Sequence, residues 1–237
     1  MKILITNDDG INAEGLKLLV EKAKKYGEIL IVAPLYEQSA KSHSICIRRG
    51  IKIEENFMFP GVKAYTVDST PADCVRYARY GLKADFDIVF SGINQGFNLG
   101  DDIMYSGTVA GASEGALVGK KAIAFSSYWG GFEGADEFFD EAMNFIFKNK
   151  LLEETDLLNV NFPKDINGIK ITRQGKTHFN TLFVREGDEY FQRGEPHFEL
   201  EKEVLESDIC SVINDKISIS PLTIDRTDIK SYNKFLK

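Results

Sequence analysis

Cysteine is scarce in this chain, tryptophan occurs once, and apolar residues never run long. The cysteines, Cys46, Cys74 and Cys210, are an odd number spread over 237 residues. No C-x-x-C pair occurs, which excludes a zinc knuckle and a thioredoxin-type site, and an ordinary globular composition with so few cysteines excludes a disulfide scaffold. Reduced, buried thiols in a cytoplasmic protein are the expectation. No stretch approaches the roughly 20 apolar residues that a membrane helix needs. The apolar run near Met1 is too short for a signal-peptide core. Basic residues are outnumbered, 29 Lys and Arg against 36 Asp and Glu, for a net charge of −7. That sign disfavours nucleic-acid polymers and anionic membranes as partners, since both need basic patches. A small anionic ligand stays open, because one cation in a cleft overcomes a distant field. Also missing are G-x-x-x-x-G-K-[ST], G-x-G-x-x-G, the D-x-D spacing of haloacid-dehalogenase-type phosphatases, internal repeats and heptads.

What is present reads as an ordinary globular chain, 43% hydrophobic and 27% charged. The first part alternates short β-branched runs with amphipathic stretches. KILIT (2–6) is a buried-strand pattern that breaks at NDDG. Leu16, Leu19, Val20 and Ala23 then fall at helical spacing within 12–26, and EILIVAP (28–34) is the next strand. Strand, helix, strand in about 35 residues implies βαβ and a parallel sheet. ICIRRGIKI (45–53) and VKAYTV (62–67) read as peripheral strands. Residues 69–82 read as a helix with Pro71 in its first turn. DIVFSG (87–92) is a strand, 106–119 a small-residue helix, KAIAFSS (121–127) a strand, 135–149 an amphipathic helix and LLNVNFP (157–163) a strand. Gly107, Gly111 and Gly115, four apart, suit close helix–sheet packing. Beyond Pro163, GIKITRQG (168–175) and KISISPLTID (216–225, ending at Pro221) are strand-like. About 176–205 reads as an extended hairpin, and the last dozen residues as a terminal helix. The fold class expected is α/β. A Rossmann-like, mostly parallel sheet flanked by helices occupies 1–163. A β-rich C-terminal subregion, 164–237, is not an independent domain.

In open parallel sheets ligands bind beyond the carboxyl ends of the strands. Asp8 and Asp9 follow the first strand, Ser39 the second, and Asn94 and Asn98 the DIVFSG strand, before Ser106-Gly107-Thr108 opens a helix. Adjacent carboxylates repel unless a cation holds them. Oxygen ligands without His or Cys favour Mg²⁺, Mn²⁺ or Ca²⁺. NDDG equally suits a plain turn leading into helix 12–26. Ser106-Gly107-Thr108 is either a plain capped helix or an anion pocket at a helix start. Taken together, these features at one sheet edge read as metal-assisted phosphoryl chemistry. His43, His178 and His197 share no motif spacing and read as surface or structural. Trp129 reads first as core, with a base-stacking wall as the other reading.

ILITNDDGINAEGLKLL, VAPLYEQSAKSHSI, DSTPADCVRYA, DIVFSGINQGFNLGDDIMYSGTVAGASEGA, NVNFP, ITRQG and ISISPLTID together resemble the SurE survival-protein family. These are metal-dependent nucleoside monophosphate phosphatases, and the resemblance covers nearly the whole chain. It implies a hydrolase that cleaves nucleoside 5′- and 3′-monophosphates to nucleoside and phosphate. It implies one divalent cation per subunit, Mg²⁺ or Mn²⁺, on Asp8, Asp9, Ser39 and Asn94. Catalysis then falls to Asp8 and Asp9, and phosphate contacts to Asn98, Ser106, Gly107 and Thr108. Which aspartate orients or deprotonates the water stays open, as does a covalent aspartyl-phosphate. Two positions depart from the family pattern: Ala40 stands where Gly is usual after Q-S, and Ser69 where Gly is usual before T-P. A non-catalytic nucleotide-binding regulator and a sugar-nucleotide transferase are the competing readings. Family members associate through the C-terminal region with arm exchange, so a homodimer or homotetramer is implied. Phe179, Phe183, Tyr190, Phe191 and Phe198, set among charges, suit such a hairpin.

Overall fold

The computed structural model describes residues 1–176, 178–179, 181–194, 196–197 and 205–236. Nine strands form one sheet. They are β1 (Lys2–Thr6), β2 (Glu28–Pro34), β3 (Ile53–Asn56), β4 (Lys63–Val67), β5 (Ile88–Gln95), β6 (Lys121–Ser127), β7 (Leu157–Phe162), β8 (Ile169–Ile171) and, late in the chain, a strand at Ile217–Leu222. Spatially the order is β3-β4-β2-β1-β5-β6-β7, then Ile217–Leu222, then β8. The six strands from β4 to β7 run parallel, and antiparallel pairs occur only toward the two ends. The expected α/β architecture is therefore observed.

Burial follows from the apolar strand runs. Ile3 and Ile5 of β1 point to one face and Leu4 to the other, as a period of two requires. The first face is covered by α1 (Glu14–Ala23) and α4 (Glu133–Lys148). Leu16, Leu19, Phe139, Met143 and Ile146 pack there against Ile31, Phe90 and Phe125. The second face is covered by α2 (Pro71–Arg76) and α3 (Gly107–Leu117), where Cys74, Val75, Val109 and Ala112 meet Leu4, Val32 and Val89. The glycine spacing in α3 is explained by this contact. A Cβ on Gly111 would lie 2.8 Å from Ser91 Oγ, and one on Gly115 2.7 Å from Val89 Cγ2.

Three local expectations differ from the structure. The strand expected over 45–53 forms only at Ile53–Asn56, and Ile47 is exposed. Upstream of it, the Cys46 amide bonds the buried Asp73 carboxylate and Arg49 bonds Asp68, so this stretch makes side-chain ties in place of a ladder. The helix over 69–82 is α only to Arg76 and then widens into a π turn at Tyr77–Gly81. Gly81 lies under the Tyr77 ring, where a Cβ would be 2.4 Å from Cδ2. The last sheet strand continues through Pro221 to Leu222. Its antiparallel partner there is Leu158 of β7.

A four-residue helix, α5 (Leu151–Glu154), precedes β7. Within the expected hairpin, β10 (Leu182–Glu186) and β11 (Glu189–Arg193) pair antiparallel, and β9 (His178–Phe179) pairs with β12 (Pro196–His197). Phe198, also expected there, lies outside the described residues. The sheet strand at Ile217–Leu222 is β13. Before it sits a helix that the sequence reading did not place, α6 (Asp208–Ile213), capped by Ser207 Oγ on the Cys210 amide at 3.1 Å. The terminal helix is α7 (Ile229–Phe235).

Candidate functional site

The strand order reverses between β1 and β5, and the loops leaving these two strands open a cleft at the sheet's carboxyl edge. Its volume is about 950 Å³. Asp8, Asp9, Ser39, Asn94, Asn98 and Ser106 all line it. A crevice at the switch point is the expected ligand position for an open α/β sheet.

Asp8 is the most constrained member. It is only 4% exposed and accepts a hydrogen bond from the Thr108 hydroxyl. Gly107 is what permits this approach, since a Cβ there would lie 2.7 Å from Asp8 Cβ and 2.8 Å from Oδ2. The group brought against the glycine backbone is thus a carboxylate of the protein itself. Burial pushes the Asp8 carboxyl up to about 7, with the charge of Asp9 adding to it and the Thr108 hydroxyl opposing it. Asp9 is half-buried. Burial raises its carboxyl too, and the Gln95 amide works the other way. Neither aspartate forms an ion pair with a Lys, Arg or His among the described residues.

Ser39 is exposed on the loop after β2, and its hydroxyl donates to Glu37 at 2.6 Å. Glu37 lines the cleft as well, a carboxylate the sequence reading passed over. Asn94 stands where the β5–β6 register shifts after Ser91, an irregularity that re-aims side chains. Its Nδ2 donates to the Gly96 carbonyl at 2.8 Å, leaving Oδ1 as its available donor toward a cation. The described residues contain no cluster of three His, Cys, Asp or Glu arranged for a metal ion. A cation here would therefore use the aspartate pair together with neutral oxygens. The donors present fit a hard divalent cation, because two neighbouring carboxylates stand without a basic partner among the described residues.

Asn98 is held from β7. Its carbonyl accepts from Asn159 Nδ2 at 2.8 Å and Asn161 Nδ2 at 3.1 Å, and its amide donates to Asn161 Oδ1 at 2.9 Å. Its side chain donates to Ser126 Oγ at 2.8 Å. This explains the two asparagines of NVNFP, to whose side chains the strand pattern assigns no role. Farther along the same loop, the Gly100 amide donates to the buried Asp208 of α6 at 2.9 Å, and Asp208 also accepts from the Gly175 amide at 2.8 Å. Ser106 caps α3, accepting from the Val109 amide at 3.0 Å. In the described residues the Ser106 and Thr108 hydroxyls thus already serve the protein, one as a cap and one on Asp8.

Trp129 corrects the reading of it as core: it is 81% exposed and lines the cleft. Its position in the loop after β6 carried the signal, since loops at that sheet edge face the cleft.

Fold and site together define an α/β protein with an oxygen-lined cleft at its switch point, bounded on one side by a helix N-terminus. The family model of survival protein SurE matches residues 3–181. A Clostridium botulinum protein named 5′-nucleotidase SurE is 41% identical over 253 aligned residues, spanning 100% of this chain and 99% of its own. A Clostridium beijerinckii protein of the same name is 39% identical over 96% of this chain and 95% of its own. The crystal structure of the SurE protein from Aquifex aeolicus superposes with a TM-score of 0.80 at 33% identity, spanning 100% and 99% of the two chains. This chain belongs to the survival protein SurE family.

Proposed function

We propose that this protein is a phosphomonoesterase that hydrolyses nucleoside 5′- and 3′-monophosphates with one divalent cation, Mg²⁺ or Mn²⁺, per subunit. Full-length relatives named 5′-nucleotidase support the substrate class. The observation that carries the reading is the aspartate pair at the cleft floor, with Asp8 pressed against the first turn of α3.

Asp8, Asp9, Ser39 and Asn94 would hold the cation, which when bound neutralises phosphate charge and brings a water toward ionisation near neutral pH. The chain's own residues do the rest. Thr108 fixes Asp8 through its hydroxyl. The start of α3, at Ser106 and Gly107, offers an N–H group and a positive helix end to phosphate oxygens, while the Thr108 amide joins its hydroxyl on Asp8. Asn98, braced by Asn159 and Asn161, offers the second N–H of its side-chain Nδ2 to the same group, the first being held by Ser126 Oγ. Asp8 or Asp9 orients the attacking water or takes its proton.

The protein acts as a homodimer or homotetramer in the cytoplasm, with residues 1–163 as the catalytic unit and 164–237 as the assembling subregion. Support for the assembly is the exposure of Leu182, Phe183 and Tyr190 on the β10–β11 hairpin and of Ile229, Tyr232 and Phe235 on α7. Support for the compartment is that all three thiols are free. Among the described residues no helix is long and apolar enough to cross a membrane.

The test is phosphate release from adenosine and guanosine monophosphates across a divalent-metal panel. EDTA is expected to abolish release and Mg²⁺ or Mn²⁺ to restore it. Full turnover after thorough chelation would remove the cation from the reading. Binding without turnover would leave a regulator instead.

A further inference from the structure

The single tryptophan stands in the one cleft this reading uses, and its place there has a physical cause. β6 ends at Ser127, which pairs with Gln95 of β5, and the Ser127 carbonyl accepts the Gly96 amide at 3.0 Å. The chain then turns so that the Trp129 indole lies against Gly96. A Cβ built on Gly96 would be 3.4 Å from indole Cε3 and 3.9 Å from Cζ3. Gly96 has φ of +126°, a backbone conformation that side-chain-bearing residues avoid. Its carbonyl in turn accepts from Asn94 Nδ2. The indole therefore rests on a backbone floor tied directly to a proposed cation ligand two residues away.

That floor covers little of the ring, for Trp129 remains 81% exposed on the side open to the cleft. Phe97 and Tyr105 line the same cleft. Glu37, Asp101 and Asp102 make much of the remaining wall acidic. A neutral aromatic heterocycle gains little from that charge and much from an aromatic surface. An exposed indole seated on backbone at such a rim suits stacking, which every nucleobase can provide through its π-face.

We propose that Trp129 is the base-stacking platform of the substrate cleft, taking the nucleobase while the Asp8–Asp9 end takes the phosphate. This rests on the nucleotidase reading and adds the residue that selects nucleotides over other phosphate monoesters. Stacking is tolerant of base identity, so all four bases are accepted, purines ahead of pyrimidines because their rings overlap more.

Two measurements test it. The first compares kcat/KM for adenosine monophosphate with that for ribose 5-phosphate, which lacks the base. Trp129→Ala is expected to lower this ratio about tenfold, mainly through KM for the nucleotide, and Trp129→Phe to recover most of it. An unaltered ratio overturns the proposal, whether neither value moves or both fall equally, and the second case would make Trp129 a mere wall of the cleft. The second uses the wild-type protein. With one tryptophan in the chain, its emission reports this site alone. Saturating adenosine monophosphate is expected to quench it, and ribose 5-phosphate to leave it largely unaltered. No quenching by a nucleotide that the enzyme hydrolyses overturns the proposal. If no nucleotide is hydrolysed at all, the nucleotidase reading fails, while the titration still reports whether a base stacks on Trp129.

Discussion

At the residue scale, Asp8 concentrates the conflict between folding and function. A carboxylate 4% exposed and beside a second carboxylate is costly in the metal-free protein, and its pKa near 7 expresses that cost. Asp8→Asn keeps the size and can still accept from Thr108. It should therefore leave the metal-free fold at least as stable as wild type in a chelated melt, while turnover falls to near background. Asp9→Asn should cripple turnover as well, with little change in stability, since Asp9 is half-buried. Wild-type kcat in both variants at saturating metal would reduce the pair to a turn. Ala40 offers a second test. Its φ of +56° lies in the left-handed region, which explains why glycine suits this loop. An L-residue there costs about 1–2 kcal/mol, and glycine's added unfolded-state freedom offsets about 0.5–1 kcal/mol of the relief. Ala40→Gly should thus raise stability by about 0.5–1 kcal/mol in denaturant titration, and a loss of stability would contradict the argument.

At the scale of elements, α3 does more than cover the sheet. Its N-terminus meets Asp8, and farther along, Glu114 joins two other segments. The Glu114 side chain is 4% exposed and bonds His43 Nε2 at 2.8 Å and Arg76 of α2 at 3.0 Å. Burial alone would push its carboxyl up, but His43 and Arg76 outweigh burial and hold it below the ordinary 4.5. The sign follows from linkage: the folded state binds this proton less readily than the unfolded chain. The contribution is fully present above about pH 4.5 and is lost as pH falls through the lower folded value. Glu114→Gln should flatten the acid limb of a stability–pH curve, measured by urea unfolding from neutral pH downward. An acid limb as steep as in wild type would show that other carboxylates control it.

At the scale of the whole molecule, the C-terminal subregion contributes both to the sheet and to the cleft. β8 and β13 extend the nine-stranded sheet, while Thr181 and Gln192, at the base of the β10–β11 hairpin, line the cleft. Leu182 and Phe183 on the hairpin are more than half exposed, in a two-stranded ribbon that pairs with no other described strand. Such ribbons invite pairing with another chain. Deleting 180–196 should shift the mass measured by light scattering to a smaller species and raise KM by opening one wall of the cleft. An intact protein that is monomeric at micromolar concentration, or a deletion that leaves the assembly unaltered, would defeat the proposed role of the hairpin.

By itself, the order of residues determined which segments are strands and helices wherever a local period is strong. KILIT, EILIVAP and KAIAFSS are buried on both faces, and the 135–149 helix has one apolar stripe, so neighbours along the chain carry the information. It also placed Asp8, Asp9, Ser39, Asn94, Asn98 and Ser106 at one sheet edge, because loops after parallel strands share that edge. Where the determining contact is distant in sequence, only the tertiary structure decided the outcome. Ile45 and Ile47 alternate like a strand, yet the partner of the Cys46 amide is Asp73, so no ladder forms. Thr108 looks like an anion ligand until the fold brings Asp8 against it across 100 residues. Trp129 carries the residue type of a core, and only its place just after β6 points the other way. Its exposure follows from the pairing of β5 with β6, which spends the space beneath the indole on the backbone of Gly96 and leaves the rest of the ring facing the cleft.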